Sequence, residues 1–284
     1  MRTKRVIAVL AAVALVAAGG YWFGQQLQYT PPVRFGAACT VEVDSRVRLD
    51  VDQMANAATI AATGVRLGMS EQATVVALAT ALQESKLRNL PHLGANNDHD
   101  SIGLFQQRPS QGWGTEEQIS DPRYAAERFY LALREVDGWR EMRVTDAAQR
   151  VQRSAFPEAY QKWAGDAAVL ADALHGRAGA AVTCRVPDEA PARGAAAAAA
   201  VAEHLAMDWG EAPVIDDPDD TGMSLLAEHP SVGWRYAHWL VSHASALGVV
   251  RVHFTDLVWS VETGTWELAD AVSEYVRVDV HPEA

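Results

Sequence analysis

The chain has 284 residues, 49% of them hydrophobic, which is length for two ordinary domains and enough apolar matter for real cores, so a globally disordered chain is excluded. The formal charge of -12 is uneven: residues 1–190 hold 20 basic and 21 acidic side chains, whereas residues 191–284 hold 4 and 15. So acidic a C-terminal part is excluded as a nucleic-acid binder, whose partner would be a polyanion, and reads as a solubilising surface.

In chain order, the first element is a targeting segment, residues 1–23. Arg2, Lys4 and Arg5 precede an uncharged run of 18 residues from Val6 to Phe23, the lower edge of what spans a bilayer. The basic flank predicts a cytoplasmic start and an exported remainder. Val16, Ala17, Ala18 and Gly19 would suit a signal peptidase, whereas Tyr21 and Trp22 suit an interfacial belt that keeps the helix as a membrane anchor. Residues 24–38, with Pro31 and Pro32, read as a linker. Cys39 and Cys184 are the two cysteines and bracket one coherent segment. Export permits a disulfide between them; the alternative is two buried thiols.

Residues 39–185 read as mostly helical. Asp50 or Asp52 can start a helix that Gly64 and Gly68 then break. Ser70 is a fitting N-cap, with Glu71 in the first turn of a helix carrying Val75, Val76, Leu78, Ala79, Ala81 and Leu82. It is apolar nearly all round, hence central and buried. A polar loop follows from His92 to Ser101, and further helices are predicted over Pro122 to Val136, Val144 to Ser154 and Pro157 to Leu174. Residues 186–199 read as a second linker running into an alanine-rich helix. Residues 200–284 read as a small α/β or α+β domain. Its helix is capped by Ser231 and extends to Leu247, and its strand-like runs are Val249–Phe254, Leu257–Val261 and Tyr275–Val280. The expected fold class is therefore mainly α, with a small α/β domain at the C-terminus.

The stretch that bears chemistry is Ala79-Thr80-Ala81-Leu82-Gln83-Glu84-Ser85, followed by Gly103-Leu104-Phe105-Gln106. Glu84 falls at the end of an apolar helix, where burial and the negative end of the helix dipole both disfavour a carboxylate. A carboxyl that stays protonated near neutral pH can donate to a glycosidic oxygen. Ser85 is placed to orient it, Gly103 allows close backbone approach, Gln106 can donate to sugar groups, and Trp113, between Gly112 and Gly114, can stack on a sugar face. Asp98 and Asp100 on the loop are candidates for a second carboxylate, or ordinary loop residues. Asn96, Asp98 and Asp100 alternate as in a calcium loop but lack its Gly and its terminal Glu. His92 and His99 lack zinc-like partners, so neither a metal nor a cofactor is expected.

Glu-Ser at the end of an apolar helix, then Gly-Leu-Phe-Gln about twenty positions on, resembles the lysozyme-like lytic transglycosylases, which carry Glu-Ser and then Gly-Leu-Met-Gln. Asp121-Pro122 with Phe129-Tyr130-Leu131 looks like the helix whose Tyr-Leu pair lines the glycan groove there. The string from Gln106 to Gly114 resembles lysozyme-like domains of exported actinobacterial proteins, and the likeness spans residues 50–175. It implies a helical lysozyme-like fold and a peptidoglycan substrate. Glu84 would act as acid, then base, at the bond between N-acetylmuramic acid and N-acetylglucosamine, giving a 1,6-anhydro product. It also implies that Ser85 supports Glu84, that Gln106 contacts the sugar and that Tyr130 lines the cleft. One departure is clear. The family's Ala-Tyr-Asn-Ala-Gly string is replaced by Ala148-Gln149-Arg150-Val151-Gln152-Arg153-Ser154-Ala155-Phe156-Pro157, with Gln152 the candidate for the Asn contact. Hydrolytic muramidase chemistry, and a glycan-binding scaffold without catalysis, therefore stay open.

The part from Trp234 to Ser260 resembles a small domain that follows such lysozyme-like domains and is related to zinc-dependent D-Ala-D-Ala peptidases. The ligand pattern of those enzymes is missing: Thr221 to Glu228 holds no His-Asp pair, Asp279 and His281 do not fit it, and His238 and His243 lie five apart on one helix. Neither zinc nor peptidase activity is expected of it. The partners implied are glycan strands and, through the N-terminal helix, the membrane; the sequence names no protein partner.

Overall fold

The computed structural model describes residues 36–92, 100–187, 190–210, 214–215, 219 and 221–283. The anchor or signal segment, the first linker up to residue 35, Asn96, Asp98 and His99 lie outside the described residues. No helix among the described residues is long and apolar enough to cross a membrane.

The chain enters through two short strands, β1 (Ala38–Glu42) and β2 (Arg46–Leu49). Their side chains alternate: Cys39, Val41, Val47 and Leu49 face the core while Glu42, Arg46 and Arg48 face water, the period of a half-buried sheet. β3 (Val182–Arg185) returns to complete an antiparallel sheet of order β2-β1-β3, in which Cys39 stands directly opposite Cys184. That pairing is the Cys39–Cys184 disulfide, spanning 145 positions. It is compatible with an exported protein.

Between these strands lie the helices. α1 (Val51–Arg66) opens on a capping box, Asp50 with Gln53. It runs through Gly64, contrary to the predicted break, because that glycine's missing side chain makes room for another element: a Cβ there would stand 2.7 Å from the Tyr130 hydroxyl. The helix ends at Arg66, capped by Leu67, and Gly68 follows in a left-handed conformation, φ +66°. α2 (Glu71–Glu84) is buried without interruption from Ala73 to Leu82, as its sequence predicts. α3 (Glu116–Ile119), α4 (Pro122–Arg134) and α5 (Val144–Gln152) follow. The helix predicted over Pro157 to Leu174 is shorter: α6 covers Ala164–Leu174, after a 3-10 turn at Gln161–Trp163. α2 packs against α1, α4, α5 and α6.

Beyond these come α7 (Gly194–Trp209), which begins inside the segment read as linker, and β4 (Gly222–Leu226). α8 (Pro230–Ser242) starts one residue before the predicted cap, with Pro230 at its first position. A short α9 (Ala244–Leu247) then leads to β5 (Val249–Ser260) and β6 (Trp266–Val280). The two predicted runs Val249–Phe254 and Leu257–Val261 are one strand, bent by bulges around Thr255, whose φ is +56°. The second sheet is antiparallel, of order β4-β6-β5.

Two three-stranded sheets correct the expectation of a mainly α fold: the chain is mixed α/β, with a sheet in each part. The strands of the first sheet are only four or five residues long, too short to stand out from a helical background. Gly36–Ala284 is one unit with a continuous core. α8 packs on α1, α6 and β3, and α7 packs on α1.

Candidate active site

The end of α2 is unusual in its backbone. Ser85 closes the helix, its N–H donating to the Ala81 carbonyl at 3.0 Å. Lys86 and Leu87 then both adopt left-handed conformations, φ +57° and +59°, which cost side-chain-bearing residues energy. The reversal sends the Leu87 N–H back to Ala81 O at 3.1 Å and buries the Leu87 side chain. It leaves Glu84 on the last helical residue, half-buried.

Two side chains donate to one oxygen of Glu84. The Tyr160 hydroxyl reaches Oε1 at 2.7 Å and Gln152 Nε2 reaches it at 3.3 Å. Burial raises the Glu84 pKa above the ordinary carboxyl value; Tyr160, Gln152 and the charge of Lys86 oppose that rise without cancelling it. The Tyr160 phenol is pushed upward, by burial and then by Glu84, so it stays a donor. With both donors on Oε1, the proton of the acid form belongs on Oε2.

The Gly103–Gln106 turn is stitched to this centre from two sides. Ser85 Oγ donates to Leu104 O at 2.8 Å and to Ala81 O at 3.1 Å. Gln152 Nε2 donates to Phe105 O at 2.8 Å as well as to Glu84. Ser85 thus holds the turn against the helix end, and the side chain that steadies the carboxylate is Gln152. Gly103 has φ +75°, and a Cβ there would stand 2.8 Å from Ile119 O, so its glycine is required by the fold of the turn itself. Gln106, at φ +49°, folds back to give one donor to Gly103 O at 3.1 Å.

The other expected residues separate. Trp113 is half-buried beside the core, its carbonyl accepting from Tyr124 Oη at 3.2 Å. Tyr130 is a correction: it is fully buried, donates to Ile60 O at 3.0 Å and packs edge-on to Phe129, so it fills the core and lines no cleft. Asp100 accepts from Ser110 N–H at 2.7 Å, Ser110 Oγ at 2.8 Å and Arg108 Nε at 3.0 Å. These donors hold its pKa far below the usual carboxylate range and make it the clamp of the Arg108-Pro109-Ser110 turn. Asp98 lies outside the described residues. His238 and His243 are core histidines. His238 accepts from the Ala181 N–H at 3.1 Å and donates through Nδ1 to Ala173 O at 2.8 Å. Burial takes each of them down to about 4. Asp279 pairs with Arg277. Among the described residues no group of three or more His, Cys, Asp or Glu could hold a metal ion.

Sequence reasoning missed Tyr160, Trp163 and Lys86. Trp163 donates from Nε1 to Gln83 Oε1 at 2.9 Å and lies under the Lys86 ammonium, 4.2 Å from the ring centroid. A usable signal for Tyr160 is Pro157, which ends the preceding segment and leaves a non-helical stretch before Ala164. That stretch, from Arg153 to Tyr160, carries Phe156 exposed at 59%, four residues from each of the two donors to Glu84. No protein-family model matches the chain, and no curated protein matches it.

Proposed function

We propose that the chain cleaves the glycan strands of peptidoglycan between N-acetylmuramic acid and N-acetylglucosamine, with Glu84 as acid and then base. The observation that carries the reading is Glu84 itself. It is a half-buried carboxyl at the end of an apolar helix, with a raised pKa and one oxygen fixed by Tyr160 and Gln152. Such a group keeps a proton where an ordinary surface glutamate has lost it.

In the first step the Oε2 proton passes to the glycosidic oxygen and the bond from that oxygen to the muramoyl C1 breaks, leaving an oxocarbenium-like sugar. Glu84 is now a carboxylate, which Tyr160 and Gln152 stabilise by donating to Oε1. It then takes a proton from the muramoyl 6-hydroxyl, whose oxygen closes on C1, or from a water that attacks the same carbon. The first course makes a lytic transglycosylase and the second a muramidase. The clamping of Asp100 by three donors favours chemistry with one carboxylate. The disulfide is in keeping with a site of action outside the cytoplasm.

Purified sacculi are the test substrate. The full chain is expected to release soluble muropeptides, and mass spectrometry separates anhydro from reducing ends by one water. Glu84→Gln, which keeps the shape and loses the proton, is expected to lower release by a factor of roughly 10² to 10⁴. A fully active Glu84→Gln protein sinks the assignment. Sacculi that bind the chain but are never cut turn the reading to a glycan-binding scaffold.

A further inference from the structure

Beside Glu84 lies a cationic feature that the acid–base chemistry does not use. The chain contains three lysines, Lys4, Lys86 and Lys162. The two within the described residues meet over one indole: Lys86 Nζ is 4.2 Å from the centroid of the Trp163 ring and Lys162 Nζ is 5.4 Å from it. A chain of net charge -12 has thus drawn two like charges onto one indole ring. Cation–π attraction offsets part of their mutual repulsion.

The arrangement is built from several directions. Trp163 is pinned by its bond to Gln83, the neighbour of Glu84. Lys86 is delivered by the left-handed backbone after the helix end, and its ammonium gives one donor to Leu82 O at 3.0 Å, which leaves two N–H groups for something else. Lys162 and Lys86 are both exposed residues. Among the described residues neither ammonium has a carboxylate within the 4.0 Å of an ion pair, whereas Arg143, equally exposed, has two. Burial of part of the side chain, and then the charge of Lys162, pull Lys86 down to about 8.

We propose that Lys86, Lys162 and Trp163 form an anion subsite next to Glu84, which takes a carboxylate of the peptide stems borne by the glycan strand. The proposal rests on the glycan-cleavage reading. In a stem-bearing strand each muramoyl lactyl carboxyl is tied up in the amide to its stem, so the carboxylates of the stems are the anions that the strand brings to a site flanking its scissile bond. The stem's apolar portion has the half-buried ring of Trp163 to lie against. The enzyme is then selective for strands whose stems carry free carboxylates.

The test uses the full chain on two substrates made from one batch of sacculi, first freed of phosphodiester-linked polymers so that phosphate cannot be the anion. One portion keeps its free stem carboxylates; in the other a carbodiimide and ammonia convert them to neutral amides. Initial rates of glycan cleavage are compared for the wild-type chain, Lys162→Gln, the double substitution Lys86→Gln with Lys162→Gln, and Lys162→Arg. The wild type is expected to cut strands with free stem carboxylates about five- to tenfold faster than amidated ones, the yield of a charge-assisted contact at a partly exposed site. That ratio is expected to fall toward unity in the double variant and to survive in Lys162→Arg. A wild-type ratio of one, or lysine variants that slow both substrates equally, overturns the subsite, since a lysine acting only through Glu84 would not distinguish them. A wild-type chain that cuts neither substrate removes the glycan-cleavage reading and this proposal with it.

Discussion

In the proposed reaction Glu84 gives up a proton in one step and carries the resulting charge until the next, and the residues around it divide those tasks. Burial favours the protonated form, while Tyr160 and Gln152, both bonded to Oε1, favour the carboxylate. Removing a donor to the carboxylate therefore raises the Glu84 pKa further. For Tyr160→Phe the alkaline limb of the pH–rate profile, set by loss of the Glu84 proton, is expected to move to higher pH. The maximum rate should fall about tenfold or more, the scale of a hydrogen bond to a charged group. A profile that kept its position with a lower maximum would make Tyr160 a packing residue only. The same burial has a consequence for stability. A carboxyl whose pKa is raised on folding favours the fold when protonated, and this contribution is lost as pH rises through the folded-state pKa. Glu84→Gln is thus expected to raise Tm at neutral pH, with the gain shrinking as pH falls toward the ordinary carboxyl range. Thermal melts of both proteins across pH check this, and an unchanged or lowered Tm at neutral pH contradicts it.

At the scale of elements, the decisive fit is between α1 and α4. The Tyr130 hydroxyl sits over Gly64 and donates to Ile60 O on the turn before it. Gly64→Ala would place a methyl 2.7 Å from that hydroxyl and 2.8 Å from Cζ, in a core with no slack. The expected cost is about 1–3 kcal/mol, despite the better helix propensity of alanine, and equilibrium denaturation measures it; a stabilised variant would show that α4 can yield. Here lies the limit of what the residues alone disclose. Asp50, Asp121 and Pro122 mark helix starts by their local chemistry, and they stand where expected. The apolar run of α2, with Glu84 at its end, was legible for the same reason. Which tyrosine serves Glu84 was not. Tyr130 and Tyr160 are equally plausible in a helical pattern, and only the packing of α4 on α1 turns the first into the core. Ser85 illustrates the same point. A hydroxyl beside a carboxyl suggests a direct bond, yet its proton goes to Ala81 and Leu104, because the Gly103 turn comes back onto the helix end from nineteen residues away. Short strands such as Arg46–Leu49 alternate clearly once paired, but four residues carry too little periodicity to announce a sheet.

Within Gly36–Ala284, a buried polar group that joins the predicted helical and α/β parts is Asp208. Its carboxylate is fully buried on α7 and accepts from Trp239 Nε1 on α8 at 2.7 Å and from Thr59 Oγ1 on α1 at 3.1 Å. It also forms an ion pair with Arg123 of α4, whose guanidinium further contacts His204 at 3.1 Å. Four helices, two from each part, thus meet on one side chain. The Trp266 indole adds a bond from β6 to Val182 O of β3 at 2.8 Å, next to the disulfide that closes the first sheet. Such shared burial couples the parts. A linker between independent domains would leave each with its own core and its own melting transition, whereas here the core of one is completed by helices of the other. Calorimetry of the oxidised protein is therefore expected to give a single unfolding transition for this region. Asp208→Ala should lower it as a whole by about 3–5 kcal/mol, because the loss leaves Arg123 without its partner at a half-buried site and the buried Trp239 indole N–H unmet. Two transitions, with Asp208→Ala shifting only the later part, would instead mean that the α/β part folds alone and merely leans on the rest. Reduction of Cys39–Cys184 gives the complementary test. Opening a loop of 145 positions frees the unfolded chain by about 4–5 kcal/mol in the chain-entropy account. If the region is one cooperative body, the loss must appear in the melting of Trp239 and Trp259, in the α/β part, as much as in the helices that the disulfide encloses.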